Sequence, residues 1–179
     1  MVSFLFSCML VDGTVPGDLL ISNVTPIPKG KNSNLTDLNY YRGIALSSVF
    51  GKILDLIFLN RYSDKMCTSE LQFGFKAKRS TNHCSMLLKE AIANYVNNGS
   101  TVYCTMLDAT KALDTVEYCK LFRLLVSRDL PSAWIRLLLN MYTNSSTRLA
   151  WNGICSAMFL VEHGVKQGGV MSPILFCIS

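Results

Sequence analysis

The sequence predicts an α+β fold, and three observations predict it. Short apolar runs rich in β-branched and aromatic residues, such as residues 102–107 and 40–46, read as strands. Other segments repeat apolar residues at helical spacing, as in Tyr118, Leu121, Phe122 and Leu125. Asn152-Gly153 stands between two apolar runs, 147–151 and 154–159, the strongest short signal for a hairpin. Half of the 179 residues are apolar and 16% are charged. That balance excludes a disordered chain and is long enough to bury a core.

Residues 1–11 read as the last turns of a helix, stopped by Gly13 and followed by Pro16. Residues 19–27 form a second apolar stretch, which Pro26 and Pro28 restrict to an edge strand or a finger-like hairpin. It runs into the basic loop Lys29-Gly30-Lys31-Asn32, a pattern that a solvated turn also fits. Residues 40–46 resume a strand with Arg42 near its start. Ser47 or Ser48 then caps a helix whose buried stripe is expected at Phe50, Ile53, Leu54 and Ile57.

Phe73-Gly74-Phe75 leads into three cations, Lys76, Lys78 and Arg79. Rings beside cations suit nucleic acid, because phosphates take the charge and bases stack on the rings. A loop with buried Phe and solvated Lys fits the same residues. Ser80 caps the next helix, with Cys84, Leu87, Leu88, Ala91, Ile92 and Tyr95 expected inside and Gly99 at its end.

The run 102–107 stops at a carboxylate, Asp108. An acid at the mouth of a buried strand stands where a metal or substrate can approach, although any turn can use an Asp in the same way. Asp114 with Glu117 three residues on fits a capping box, so Asp114 is expected to open the helix carrying Tyr118, Leu121, Phe122 and Leu125. Pro131 begins a further helix around Trp134, Ile135, Leu138 and Met141. After the Asn-Gly hairpin comes the glycine-rich loop 164–169. Ser172 as cap and Pro173 at the first helical position open the last helix.

Seventeen Lys and Arg against twelve Asp and Glu give a net charge of +5, a mild excess that suits an anionic partner. Seven cysteines, without a C-x-x-C pair, read as reduced and mostly buried thiols of an intracellular protein. With two histidines a zinc site is not expected. Sequons at Asn23, Asn34, Asn98 and Asn144 stand without other signs of secretion. The apolar start lacks the basic residues of a signal peptide, and no run reaches membrane-spanning length.

Five stretches then line up in a familiar order: Val24-Thr25-Pro26-Ile27-Pro28-Lys29; Asn39-Tyr40-Tyr41-Arg42-Gly43-Ile44-Ala45-Leu46; Gln72-Phe73-Gly74-Phe75 with Arg79-Ser80-Thr81; Asp108-Ala109-Thr110-Lys111-Ala112-Leu113-Asp114; and residues 164–173. In these the chain resembles the reverse transcriptase domain of non-LTR, LINE-type retrotransposons, over nearly its whole length. The resemblance implies a right-hand polymerase fold, with fingers in residues 1–100 and part of the palm in 101–179. It implies RNA-templated DNA synthesis, with an RNA template, a DNA primer and deoxynucleoside triphosphates as partners, no membrane, and a nuclear or cytoplasmic location. Asp108 matches the first catalytic aspartate, and with the carbonyl of Ala109 it is implied to hold two magnesium ions (Mg2+), hard cations that take oxygen ligands. Lys29 and Arg42 match cations that neutralise the triphosphate, and Gln167 and Gly168 match the loop lining the nucleotide site. Leu113 stands where the family usually has an aromatic gate against the ribose 2′-hydroxyl. Asp114 is kept as a helix cap.

The sequence departs from the family at Leu113, at Lys166, where many members have Pro, and at Gly169, where many have Ser. The Tyr/Phe-x-Asp-Asp hairpin that follows the glycine-rich loop in the family does not occur in these residues. Asp12, Asp55 and Glu90 stand in the wrong contexts to replace it. The chain is therefore expected to be a fragment of a reverse transcriptase, inactive as the isolated chain. The alternatives are a non-catalytic nucleic-acid-binding remnant and the product of a decayed element.

Overall fold

The computed structural model describes residues 1–30, 35–109 and 111–179. Lys31 and Asn32 of the basic loop, the sequon at Asn34, and Thr110 lie outside them. The chain divides into two compact units, one of residues 1–67 and 112–179, the other of residues 68–111.

In the first unit, helix α1 (Val2–Asp12) ends where expected. Gly13 adopts φ 70°, and its N–H donates to Met9 at 2.9 Å. A short helix, α2 (Gly17–Leu20), leads into strand β1 (Ile21–Pro28). β1 pairs antiparallel with β2 (Tyr41–Leu46), from Asn23 opposite Leu46 to Pro28 opposite Tyr41. On its other side β1 pairs parallel with β3 (Ser146–Trp151), from Ile21 opposite Ser146 to Val24 opposite Leu149. From Thr25 onward β3 no longer covers β1, and Pro26 and Pro28 stand there, where a missing N–H costs no ladder bond. β4 (Ile154–Cys155) and β5 (Phe159–Leu160) both pair antiparallel with β3. Asn152 (φ 48°) and Gly153 (φ 80°) turn the chain from β3 into β4, the doubly left-handed turn that their types favour.

One face of this sheet is buried at its base, through Ser22, Ala45 and Thr147. The Ser22 hydroxyl donates to Thr147 Oγ1 at 3.2 Å, so these buried hydroxyls are satisfied. The apolar core gathers α1, α3 (Val49–Arg61), α5 (Tyr118–Ser127), α6 (Ser132–Thr143) and α7 (Ser172–Ile178). Leu54, Phe58, Leu121, Leu125, Leu137, Leu138 and Leu175 are almost wholly enclosed, with the Phe58 and Trp134 rings 5.2 Å apart.

Three local expectations need correction here. α3 buries Gly51, Leu54 and Phe58, whereas Phe50, Ile53 and Ile57 are exposed. The helix is apolar nearly all round, so packing and not local pattern chooses its face. Asp114 does not cap α5: it lies in a 3-10 turn (Ala112–Thr115), and Glu117 precedes the helix without a side-chain capping bond. Glu117 instead pairs with Lys120 at 2.8 Å. Met171 takes the cap position of α7, and Ser172 becomes its first helical residue.

The second unit contains one long helix, α4 (Thr81–Asn97). Ser80 caps it as expected, its hydroxyl accepting from the His83 N–H at 3.3 Å, and Gly99 follows its end at φ 77°. The residues expected inside are not buried. No other helix or strand is described in residues 68–111 to cover them.

Residues 102–107 are not a strand. Tyr103 is 92% exposed and Leu107 94%, and no described strand pairs with the segment. Apolar composition favours burial, but a strand forms only where a neighbour accepts its backbone bonds. The thiols are also corrected: Cys67, Cys84, Cys104, Cys119 and Cys155 are free and exposed, not buried.

Candidate functional site

The glycine-rich loop is held from two sides. Toward the 3-10 turn, the Gly164 N–H donates to Val116 and the Val165 N–H to Leu113, each at 2.8 Å. The approach is so close that a Cβ on Gly164 would lie 2.8 Å from Asp114 Cα and 2.9 Å from the Leu113 carbonyl. With φ at 85°, only glycine fits there without strain. Toward β2, the Ala45 N–H donates to the Gln167 carbonyl at 2.7 Å. Gly168, at φ 104°, lies against the same strand, where a Cβ would stand 3.1 Å from the Ala45 carbonyl and 3.3 Å from Ile44 Cγ2.

This contact sets which cations share a surface with the loop. Side chains alternate along a strand, so Arg42 and Ile44 lie on one face of β2. Arg42 stands opposite Ile27, and Lys29 follows two residues on, its N–H donating to Tyr40 at 2.8 Å. Arg42 is exposed on the face of β2 that carries Ile44, which Gly168 meets, and Lys29 is exposed just past the end of β1. Leu113 joins the assembly through its carbonyl, while its side chain is partly buried against the core. The structure therefore sets Gln167 and Gly168 against Ala45 on the strand that carries Arg42, with Lys29 at the far end of that strand and the turn that carries Leu113 on the loop's other side.

Two residues here were not among the expected ones. Arg148 pairs with Asn23 across β1 and β3 and shares the Arg42 face, its Nε donating to Asn23 Oδ1 at 2.7 Å. Alternation within residues 147–151 is the signal that could have found it. Asp55, which sequence context set aside, lines a small cavity with Lys166, Gly169 and Ser172, near the Met171 and Val170 N–H groups. Burial pushes its carboxyl up to about 6, against the pull of those N–H groups and of Lys166. Burial also lowers Lys166, opposed by Asp55.

Asp108 and the basic patch belong to the 68–111 unit. Asp108 and Ala109 are exposed, in a stretch without regular structure. Among the described residues no group of three His, Cys, Asp or Glu gathers where an ion could bind. One carboxylate and one carbonyl are hard ligands of the right kind, but magnesium takes an octahedral set, so these donors alone do not fit a pair of ions. In the patch, Glu70 engages two of the three cations. Its carboxylate pairs with Arg79 and lies 3.5 Å from Lys76, and Arg79 also donates to its carbonyl. The Arg79 hydrogen bond and the Lys76 charge hold the Glu70 carboxyl below its ordinary range. The Arg79 guanidinium stands 5.5 Å from the centre of the Phe73 ring. Lys78 makes none of these contacts.

Residues 27–179 match the family model described as Reverse transcriptase (RNA-dependent DNA polymerase). The chain belongs to this reverse transcriptase family, and its relatives are polyproteins of non-LTR retrotransposons. It is 24% identical, over 92% of its length, to the Retrovirus-related Pol polyprotein from type-2 retrotransposable element R2DM of Drosophila melanogaster. It is 26% identical, over 98% of its length, to the corresponding type-1 R2 polyprotein of Nasonia vitripennis. Against the Probable RNA-directed DNA polymerase from transposon X-element of Drosophila melanogaster it is 27% identical over 77%. The chain spans 15%, 17% and 16% of these three relatives. No helix among the described residues is long and apolar enough to cross a membrane.

Proposed function

We propose that this chain is the nucleotide-gripping part of an RNA-directed DNA polymerase, which extends a DNA primer on an RNA template from deoxynucleoside triphosphates. The observation that carries this reading is the seating of Gly168 on Ala45 and Ile44, beside the face that bears Lys29 and Arg42. A triphosphate carries several negative charges on adjacent groups. Two exposed cations on one hairpin face supply the counter-charge, with Arg42 able to take two phosphate oxygens at once. The bare backbone at Gly168 lets the flat part of a nucleotide approach the loop. Leu113 stands under the sugar in this reading. Residues 1–100 serve as fingers and residues 101–179 as part of the palm.

In this reading Asp108 and the Ala109 carbonyl offer hard oxygen donors to a divalent metal ion. When bound, the ions supply charge stabilisation for nucleotidyl transfer. With these two donors alone, the chain is read as binding nucleotide without polymerising it. Glu70 neutralises part of the basic patch, which weighs against a purely nucleic-acid-binding role. A polymerase of this kind works inside the cell, where its RNA template is.

The test is titration of the 179-residue chain with deoxythymidine triphosphate, followed by calorimetry. Binding should weaken about tenfold or more in Lys29→Ala/Arg42→Ala, the loss expected for charge-assisted contacts. Equal binding by the two forms would remove these cations from the site.

A further inference from the structure

β1 and β3 pair only as far as Val24 and Leu149. Past that pair, a cleft of about 340 Å3 lies between Thr25 and Pro26 of β1 and Ala150 and Trp151 of β3. Tyr41 of β2 also lines it. The Tyr41 ring centre is 5.2 Å from that of Trp151, and its hydroxyl donates to the Leu35 carbonyl at 3.0 Å. Trp151 is 41% exposed, whereas Trp134, the other tryptophan, is enclosed in the core at 5%. An exposed indole beside an open cleft is a platform for another flat ring.

Arg148 stands beside this cleft, two residues before Ala150 and on the same face of β3, about 7 Å away along the strand. Its Nε donates to Asn23 Oδ1 at 2.7 Å, which holds the guanidinium and leaves both Nη groups without a hydrogen bond among the described residues. Arg148 is half-buried and forms no ion pair among those residues, unlike Lys76, Arg79 and Lys120. A half-buried cation without a carboxylate calls for an anion, and two adjacent N–H donors suit a phosphate. The Asn23 bond places this guanidinium four residues along β1 from Ile27, the partner of Arg42, a separation of about 13 Å. The two arginines therefore suit phosphates spaced along a strand, and not neighbours within one triphosphate.

We propose that the cleft and Arg148 together form a site for one nucleotide of an unpaired RNA strand: a base stacks on Trp151, and the adjoining phosphate takes the Nη groups of Arg148. Stacking accepts any base, because every base has a flat face, and the arginine contacts only the backbone, so the site grips the strand without reading its sequence. A proline-rich peptide also suits aromatic rings, but it offers nothing to Arg148, so the cation favours nucleic acid. That this strand is a polymerase template rests on the function proposed above; the binding of single-stranded RNA here does not.

The experiment titrates the 179-residue chain with an oligoadenylate octamer at low salt and follows tryptophan fluorescence. Trp134 is enclosed, so a saturable loss of emission reports on Trp151. An abasic octamer of the same charge should leave the emission unchanged. Trp151→Leu should weaken octamer binding about tenfold, and Trp151→Phe should keep most of it. Arg148→Gln should weaken binding and lower the slope of log affinity against log salt by about 0.7, the share of one phosphate on a single strand. The proposal is overturned if the octamer leaves the native emission unchanged, a result that needs no variant. It is overturned equally if the abasic octamer changes the emission as much, if Arg148→Gln leaves the salt slope as it was, or if a proline decapeptide produces the emission change at lower concentration than the octamer. Titration with deoxythymidine triphosphate separates this site from the nucleotide grip. If the octamer changes the emission and the triphosphate does not bind, the grip fails and this site stands; the reverse result removes this site and leaves the grip.

Discussion

The Ala45 N–H donates to the Gln167 carbonyl at 2.7 Å, across 122 positions of sequence, and this bond fixes the glycine-rich loop to the strand that bears Arg42. The neighbouring glycines are there because side chains would not fit.

Gly164→Ala should destabilise the chain by about 2–4 kcal/mol, since it combines a left-handed backbone with a methyl forced onto the Asp114 backbone. Gly51→Ala is the control: nothing lies within 4 Å of the added methyl, and the site is inside α3. It should stabilise by about 0.5–1 kcal/mol through helix propensity. Urea unfolding of the two variants reads both; equal stability would mean that the loop does not seat on the 3-10 turn.

Stability should carry a signature of Asp55. The folded chain holds this proton up to about pH 6, whereas the unfolded chain releases it near 3.8. Between these values the folded state binds more protons, so the Asp55 contribution falls as pH rises from about 4 to about 6. The loss is on the order of 1–3 kcal/mol. Asp55→Asn should lack it and unfold at higher urea than the native chain above pH 6. Parallel pH profiles for the two forms would contradict this.

Glu70→Gln should release Lys76 and Arg79 for phosphate. Binding of single-stranded RNA should tighten at low salt, and the slope of log affinity against log salt should steepen by about 1. Replacing Lys76, Lys78 and Arg79 together by Ala should flatten it. Slopes that do not respond to either change would leave the patch a solvated loop.

Residues 102–107 expose Tyr103, Met106 and Leu107 without a pairing strand among the described residues, and such a surface promotes association. Replacing these three by Thr should raise the concentration at which the chain aggregates, measured by light scattering, without lowering its urea midpoint. A lower midpoint would mean that the segment packs in the folded state.

Much of the fold was legible where a residue type answers a local need. Gly13 and Gly99 mark helix ends, Ser80 caps α4, and Asn152-Gly153 makes the β3–β4 turn because both positions take positive φ. Legibility failed where the partner is distant. Residues 102–107 have strand composition and no described strand beside them. α3 offers two apolar stripes, and the core selects the one with Leu54 and Phe58. Within the candidate site, resemblance singles out Lys29, Arg42, Gln167 and Gly168, and the structure seats Gln167 and Gly168 on Ala45 of the strand that carries Arg42. Asp55 was not, because its partners at Lys166, Val170 and Met171 lie more than a hundred residues away and nothing local marks it.

The most direct measurement is a residue-resolved amide footprint of deoxythymidine triphosphate on the 179-residue chain. Millimolar nucleotide should shift the amides of Lys29, Arg42, Gln167 and Gly168, and the shifts should vanish in Lys29→Ala/Arg42→Ala. Saturable shifts confined to other segments, such as α4, or no shifts at all, would contradict it.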